Sequence, residues 1–167
     1  DPELRLALVL ALDRDLLTQK VTQFGELPAY TLVPPGIRDH VSLVPEWAEW
    51  TQAEREAEAR RLYAGAGYSE ANPLKIEIRY TAGENNKKMA LAAASLWKQI
   101  LGVQTTLLNE ESKVFLQNRE QKILTQVFQS GWISDYADAY SFLSLFLSGG
   151  GRNYYGYTND LYDALLD

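Results

Sequence analysis

The 167-residue sequence predicts an α/β domain in which a parallel or mixed sheet is covered by helices. Three observations carry that prediction. The composition, 46% hydrophobic and 23% charged, is that of an ordinary globular chain and argues against disorder along its length. From Leu74 onward the hydrophobic period alternates between two and 3.6, in the order strand, helix, strand, helix, strand. No internal repeat, linker or low-complexity tract divides the chain, whose length suits one domain burying about two-thirds of its unfolded surface.

Asp1-Pro2 reads as an N-cap followed by proline at the first helical position, where a missing N–H costs nothing. The spacing of Leu4, Leu8 and Ala11 predicts a helix through Leu12. Asp13 or Asp15 then caps a second, turn-rich helix through Val21. Gly25 to Pro45 holds Pro28, Pro34, Pro35 and Pro45 and predicts extended strand or loop. Thr51-Gln52-Ala53-Glu54 is a capping box that launches a helix through about Ala64, ended by Gly65 and Gly67.

Leu74, Ile76, Ile78 and Tyr80 alternate with Lys75, Glu77, Arg79 and Thr81, the signature of a strand with one buried face. A helix follows over 86–101, with Met89, Ala93, Leu96, Trp97 and Ile100 on one stripe and Gly102 at the C′ position. Val103–Leu108 predicts a second strand, Glu111–Arg119 a short helix and Leu124–Trp132 a third strand. The last 36 residues differ: they hold six of the ten tyrosines, five aspartates and one basic residue, Arg152. The Gly149–Gly151 run loosens the backbone in their midst.

Composition also excludes chemistries. The absence of cysteine removes disulfides, thiolate catalysis and zinc ribbons. One histidine, His40, makes a His-rich metal site or a His-dependent catalytic pair an unpromising reading, and it is expected exposed in the Pro-rich stretch. A net charge of −6 argues against nucleic acid as a partner. No apolar run reaches membrane-spanning length, and the sequence opens without the pattern of a signal peptide. Gly149–Gly151 lacks the Lys-Ser/Thr and the strand–helix context of a phosphate loop.

The stretch Gly131-Trp132-Ile133-Ser134-Asp135-Tyr136-Ala137-Asp138 directly follows the third predicted strand. Ligands of open α/β sheets bind beyond the carboxyl ends of strands. A Trp there offers a π-rich wall, and a carboxylate offers an acceptor for an ammonium group. The plainer alternative has the Trp plugging the core edge and Asp138 capping a helix over Tyr140–Phe146. Carboxylate pairs, Glu110 with Glu111 or Asp135 with Asp138, raise a hydrolase as a second class, although adjacent strand residues point to opposite faces. The charges between Glu54 and Arg61 read as a solvated helix face. Trp47 and Trp50 read as a loop anchor, or as the interface of a purely structural or interaction domain.

Five stretches together carry a resemblance: "ALDRDLLTQKV", "LPAYTLVPPG", "PEWAEWTQAEREAEARRLYAGAGY", "KKMALAAASLWKQILGV" and "GWISDYADAYSFL". In this order and spacing the sequence resembles the family 5 extracellular solute-binding proteins, particularly the oligopeptide- and murein-peptide-binding proteins of ABC importers. The resemblance implies a type II periplasmic-binding fold with a mixed sheet flanked by helices, closing on a peptide by hinge motion. It implies that residues 1–167 form one lobe of a protein roughly three times as long. The missing signal peptide then reads as truncation. The implied partners are a peptide ligand, the other lobe of the same polypeptide and ABC permease subunits, in the periplasm or outside the cell, with no cofactor and no metal. An oligosaccharide, opine or metal chelate is the alternative ligand.

The resemblance also implies site residues. Asp135 matches an aspartate that binds the peptide's α-ammonium group, and Trp132 a Trp that lines a side-chain pocket. At other ligand-facing positions the sequence departs from the family: Gln129 stands where an Arg is familiar, Asn86 for a His, Thr81 for an Asn, Ser112 for a Trp and Thr22 for a Lys. The loss of Arg and Lys removes two cations that would meet a ligand carboxylate.

Overall fold

Local signals set most of the helices in the computed structural model, which describes residues 1–122 and 126–166. Helix α1 (Pro2–Leu10) starts where the Asp1 carboxylate accepts from the N–H groups of Glu3 and Leu4, at 2.9 and 3.2 Å. Asp13 caps α2 (Arg14–Leu16), which runs on as a π-helical turn over Leu17–Thr22 and stops at Gln23, where φ is 60°. In α3 (Gln52–Gly65), Thr51 Oγ1 accepts from Glu54 N–H and Glu54 Oε2 accepts from Thr51 N–H, at 3.3 and 2.7 Å. These bonds satisfy amide donors that a helix start leaves orphaned.

Between α2 and α3 the Pro-rich stretch forms a loop, with one 3₁₀ turn at Glu46–Ala48. Two arginines pin it. The Arg55 side chain, buried in α3, donates to the carbonyls of Trp47, Ala48 and Trp50. Arg14 Nε donates to the Ala29 carbonyl at 2.9 Å, and its guanidinium lies 5.1 Å from the Tyr30 ring and 4.9 Å from that of Trp47. Trp47 is thus half-buried as a loop anchor. His40 is half-buried as well, not exposed, because the folded-back loop walls it in with Pro28, Tyr30 and Val44.

The sheet is built from β1 (Lys75–Thr81), β2 (Gln104–Glu110) and β3 (Val127–Phe128), in the order β2-β1-β3. Its described pairings are parallel, from Lys75↔Gln104 to Thr81↔Glu110 on one side and Ile78↔Val127, Arg79↔Phe128 on the other. Helix α4 (Glu84–Leu101) connects β1 to β2, and α5 (Ser112–Glu120), capped by Glu111, follows β2. Ile76, Ile78 and Tyr80 point into the core shared with α1, α3 and α4, where Trp97 donates to the Leu8 carbonyl at 2.8 Å. Glu77, Arg79 and Thr81 line the opposite face, against which α5 packs. The deepest residues of α4 are Ala90, Trp97 and Leu101. The buried stripe is rotated from the one read in sequence because α4 touches β1, β2, α3 and the π-helical turn at once.

The third strand is shorter than predicted. Gln129 N–H keeps one sheet bond, to the Arg79 carbonyl at 2.9 Å, and Ser130–Trp132 then leave the sheet. Ser and Gly are poor strand formers, and Trp132 is drawn off to pack elsewhere. Leu124 and Thr125, part of the same prediction, lie outside the described residues. Beyond it come α6 (Tyr140–Leu143), a 3₁₀ turn at Ser144–Phe146 and α7 (Asp160–Leu166), the last of which the sequence reading does not anticipate.

Candidate functional site

The strand order puts a topological switch beside β1. The chain leaves β1 through α4 to reach β2 on one side, then returns through α5 to β3 on the other. Adjacent loops therefore diverge at the carboxyl ends of β1 and β3 and leave a crevice between them. A cleft of about 380 Å³ occupies that position, lined by Thr81, Asn86, Ser112, Phe115, Leu116, Arg119 and Gln129–Gly131. Thr81, Asn86, Ser112 and Gln129, far apart in sequence, meet there.

Each of these side chains is placed by its element. Thr81 ends β1, and the turn beyond it uses Gly83 at φ 147°, a conformation an L side chain rarely takes. The turn brings Asn86 back so that its Nδ2 donates to Thr81 Oγ1 at 2.9 Å. Ser112 opens α5. Arg119, one helical turn beyond Phe115, lies over that ring at 5.5 Å, over Tyr154 at 4.1 Å and 6.0 Å from Phe128, and donates to Ser130 Oγ at 3.2 Å. No carboxylate pairs with it among the described residues. Two buried polar atoms of this cleft, Arg119 Nε and Gln129 Oε1, have no hydrogen-bond partner among the described residues. Buried polar atoms are rarely left so, and a donor and an acceptor orphaned in one cleft mark where a polar ligand group fits.

Ser130 and Gly131 also border a second, largely apolar compartment of about 450 Å³, walled by Leu32, Pro34, Trp132, Phe142, Leu145 and Tyr155. Trp132 is half-buried, its Nε1–H directed at Ser141 Oγ at 3.5 Å. Asp135 stands at the rim with its side chain 73% exposed, 4.0 Å from Arg152 Nη1. Thr22 does not line the cleft; it ends the π-helical turn and donates to Glu26 Oε2 at 2.8 Å. A larger hollow of about 770 Å³ lies between α4 and β2, at the amino end of the sheet where the switch geometry places no ligand.

Three of the four carboxylates read as catalytic pairs are engaged in local contacts, Asp135 being the exception. Glu110 is held by Arg79 and by Asn118 on the polar face of the sheet, and Glu111 caps α5. Asp138, read in sequence as a cap, lies one residue before the N-cap Ala139 and accepts from Tyr140 N–H at 2.7 Å at the start of α6. No cluster of three metal-ligating side chains occurs among the described residues. Arg119 is the residue the sequence reading missed. Its one available signal is spacing: Phe115 and Arg119 share a face of the helix that enters the last predicted strand.

The fold is that of the periplasmic binding proteins, helices flanking a parallel sheet with a cleft at the strand ends. The chain belongs to the bacterial extracellular solute-binding proteins of family 5, whose middle region matches residues 1–154. It is 42% identical over 167 residues to the periplasmic oligopeptide-binding protein OppA of Salmonella typhimurium, covering 99% of this chain and 30% of that protein. The periplasmic murein peptide-binding protein MppA of Escherichia coli is 35% identical over 166 residues, with 99% of this chain and 31% of that protein covered. Among solved structures, Haemophilus influenzae OppA in complex with the peptide RPPGFSPFR superposes with a TM-score of 0.94 at 38% identity, covering 98% of this chain and 32% of that one. Escherichia coli MppA does so with 0.94 at 34% identity, over 99% and 32% of the two chains. The chain thus spans about a third of the length of these relatives.

Proposed function

We propose that residues 1–167 form one lobe of the substrate-binding component of an ABC importer, binding peptides in the cleft between two lobes. The observation that carries this reading is the pair of orphaned polar atoms, Arg119 Nε and Gln129 Oε1, in a cleft at the carboxyl ends of β1 and β3. Peptides present both donors and acceptors at every residue, so an extended backbone laid across the strand ends satisfies both. The apolar compartment beside Trp132 takes a side chain, and Asp135 takes the α-ammonium group by a charge-assisted contact. Arg119 supplies the cation that Gln129 and Thr22 do not, and so receives a ligand carboxylate.

The protein acts as a binder and not as an enzyme, outside the cytoplasmic membrane, and delivers its ligand to permease subunits. No helix among the described residues is long and apolar enough to cross a membrane; the proposed association with the membrane is through the transporter. The isolated lobe binds weakly, because half of the contacts and the enclosure that offsets ordering entropy belong to the other lobe. The test uses the full-length protein and isothermal calorimetry. Asp135→Ala weakens peptide binding about tenfold or more, in the range of a lost charged hydrogen bond, whereas Asp138→Ala, which removes a local hydrogen bond at the start of α6, leaves affinity nearly unchanged. Equal and negligible effects would remove Asp135 from the site. Mass spectrometry of the co-purified ligand separates peptide from oligosaccharide, opine or metal chelate.

A further inference from the structure

Arg152 is the only basic residue among the last 36, and its guanidinium lies beside both an aromatic ring and a carboxylate. Its Cζ lies 4.3 Å from the centroid of the Trp132 ring, and its Nη1 lies 4.0 Å from Asp135 Oδ2. The backbone is built to hold it there loosely. On one side stand Gly149, Gly150 and Gly151, the first at φ 73°. On the other, buried Asn153 is clamped: its Nδ2 donates to the carbonyls of Leu147 and Tyr157 at 3.1 and 2.6 Å, and its Oδ1 accepts from Tyr157 N–H at 3.1 Å. Arg152 therefore stays beside Trp132 and Asp135 while its own side chain, 55% exposed, can move away.

We infer that Arg152 determines specificity at the ammonium anchor, acting as an internal cation that competes with the ligand's N-terminus for Asp135 and the Trp132 face. The inference rests on the reading of Asp135 as that anchor. With Arg152 in place the pair is nearly neutral, so an incoming ammonium group meets less attraction and an N-blocked ligand forfeits less by lacking one. The preference for free amines is damped. The pair is exposed and its charges are 4.0 Å apart, so it is weak and displaceable, and its influence on affinity is about two- to fivefold.

Calorimetry on the full-length protein with trialanine and N-acetyl-trialanine tests this. Arg152→Ala tightens trialanine two- to fivefold and leaves N-acetyl-trialanine unchanged or weaker, which widens the ratio between them. Arg152→Gln, which keeps the bulk and removes the charge, does the same. In an Asp135→Asn background the Arg152→Ala change is silent toward trialanine. Weaker or unchanged trialanine binding in Arg152→Ala overturns the inference, as does a glutamine variant that behaves like wild type or a gain that persists in Asp135→Asn. Asp135→Asn binding trialanine like wild type removes the anchor reading itself. Asp135→Asn binding weakly while Arg152→Ala changes nothing removes only the role of Arg152, and trialanine failing to bind every variant removes both.

Discussion

The two faces of β1 are built to opposite specifications. Ile76, Ile78 and Tyr80 face an apolar core in which Trp97 Nε1–H donates to the Leu8 carbonyl and Leu74 N–H to Tyr63 Oη, both at 2.8 Å. A single buried side-chain polar atom there, Thr105 Oγ1 opposite Ile76, lacks a partner among the described residues. Glu77, Arg79 and Thr81 face a polar layer under α5 in which Arg79 Nε, Glu110 Oε2, Arg119 Nε and Gln129 Oε1 are buried without partners among the described residues. Water-free packing rewards the first face and penalises the second. The penalty falls on the face that carries the proposed ligand groups, at the end above the switch point. Fold and site are thereby divided between the two sides of one seven-residue strand.

That division predicts that a change on the apolar face destroys the fold, while one on the polar side alters recognition. Trp97 is 5% exposed. Trp97→Ala leaves both a cavity and an unbonded Leu8 carbonyl, and costs about 3–5 kcal/mol. This is about a fifth or more of the stability of a typical domain. Urea unfolding followed by circular dichroism measures it; a loss below about 1 kcal/mol, the scale of a surface change, would mean that the core is not the source of stability. Trp97→Phe, which keeps most of the volume and gives up the hydrogen bond, falls between.

Arg119→Met sharpens the comparison from the other side. Methionine keeps the stem against Phe115 and Tyr154 but removes the charge and the orphaned donor. Affinity for Ala-Glu-Ala falls about tenfold, as for a lost charged hydrogen bond, while affinity for Ala-Gln-Ala changes less and the urea midpoint moves little. Loss of stability without a change in the Glu-to-Gln ratio would make Arg119 a structural cation.

The apolar face was also the legible one. Its helices announce themselves through residues that act on their neighbours, such as Asp1, Asp13, the Thr51/Glu54 box and Gly102, and β1 through strict alternation. The cleft depends instead on contacts distant in sequence. The nearness of Arg119 to Tyr154 and Ser130 follows from how α5 returns to β3, and nothing in the residues around Arg119 encodes that. The resemblance implies Thr81, Asn86, Ser112, Gln129 and Trp132, which line the two compartments, and also Asp135 and Thr22, which line neither. It could not supply Arg119, whose partners are set by this chain's own aromatic residues. β3 ends earlier than its pattern predicts for a related reason: apolar pattern continues through Trp132, but that Trp lines the apolar compartment instead of the sheet.

The smallest expected effect lies in the Tyr-rich segment that presents Arg152. Its two ends are joined where Ser148 N–H donates to Asp163 Oδ1 at 3.0 Å and Asn159 N–H donates to Ser148 Oγ at 3.2 Å. Hydrogen bonding from Ser148, the hydroxyl first and the backbone amide second, holds the Asp163 carboxyl below its ordinary range. A carboxyl whose pKa is lower in the folded state stabilises that state above the unfolded pKa, near 3.9 for an aspartate, and loses the contribution as pH falls through the folded value. Asp163→Asn therefore lowers the melting temperature slightly at pH 7, and the gap to wild type closes as the pH falls through and below the ordinary carboxylate range. Because the group is exposed and solvent-screened, the difference at neutral pH is small beside that of Trp97→Ala. A gap that widens in acid would mean that the bond favours the protonated carboxyl, so that this closure, and with it the placing of Arg152 beside Asp135, would not depend on the charge at Asp163.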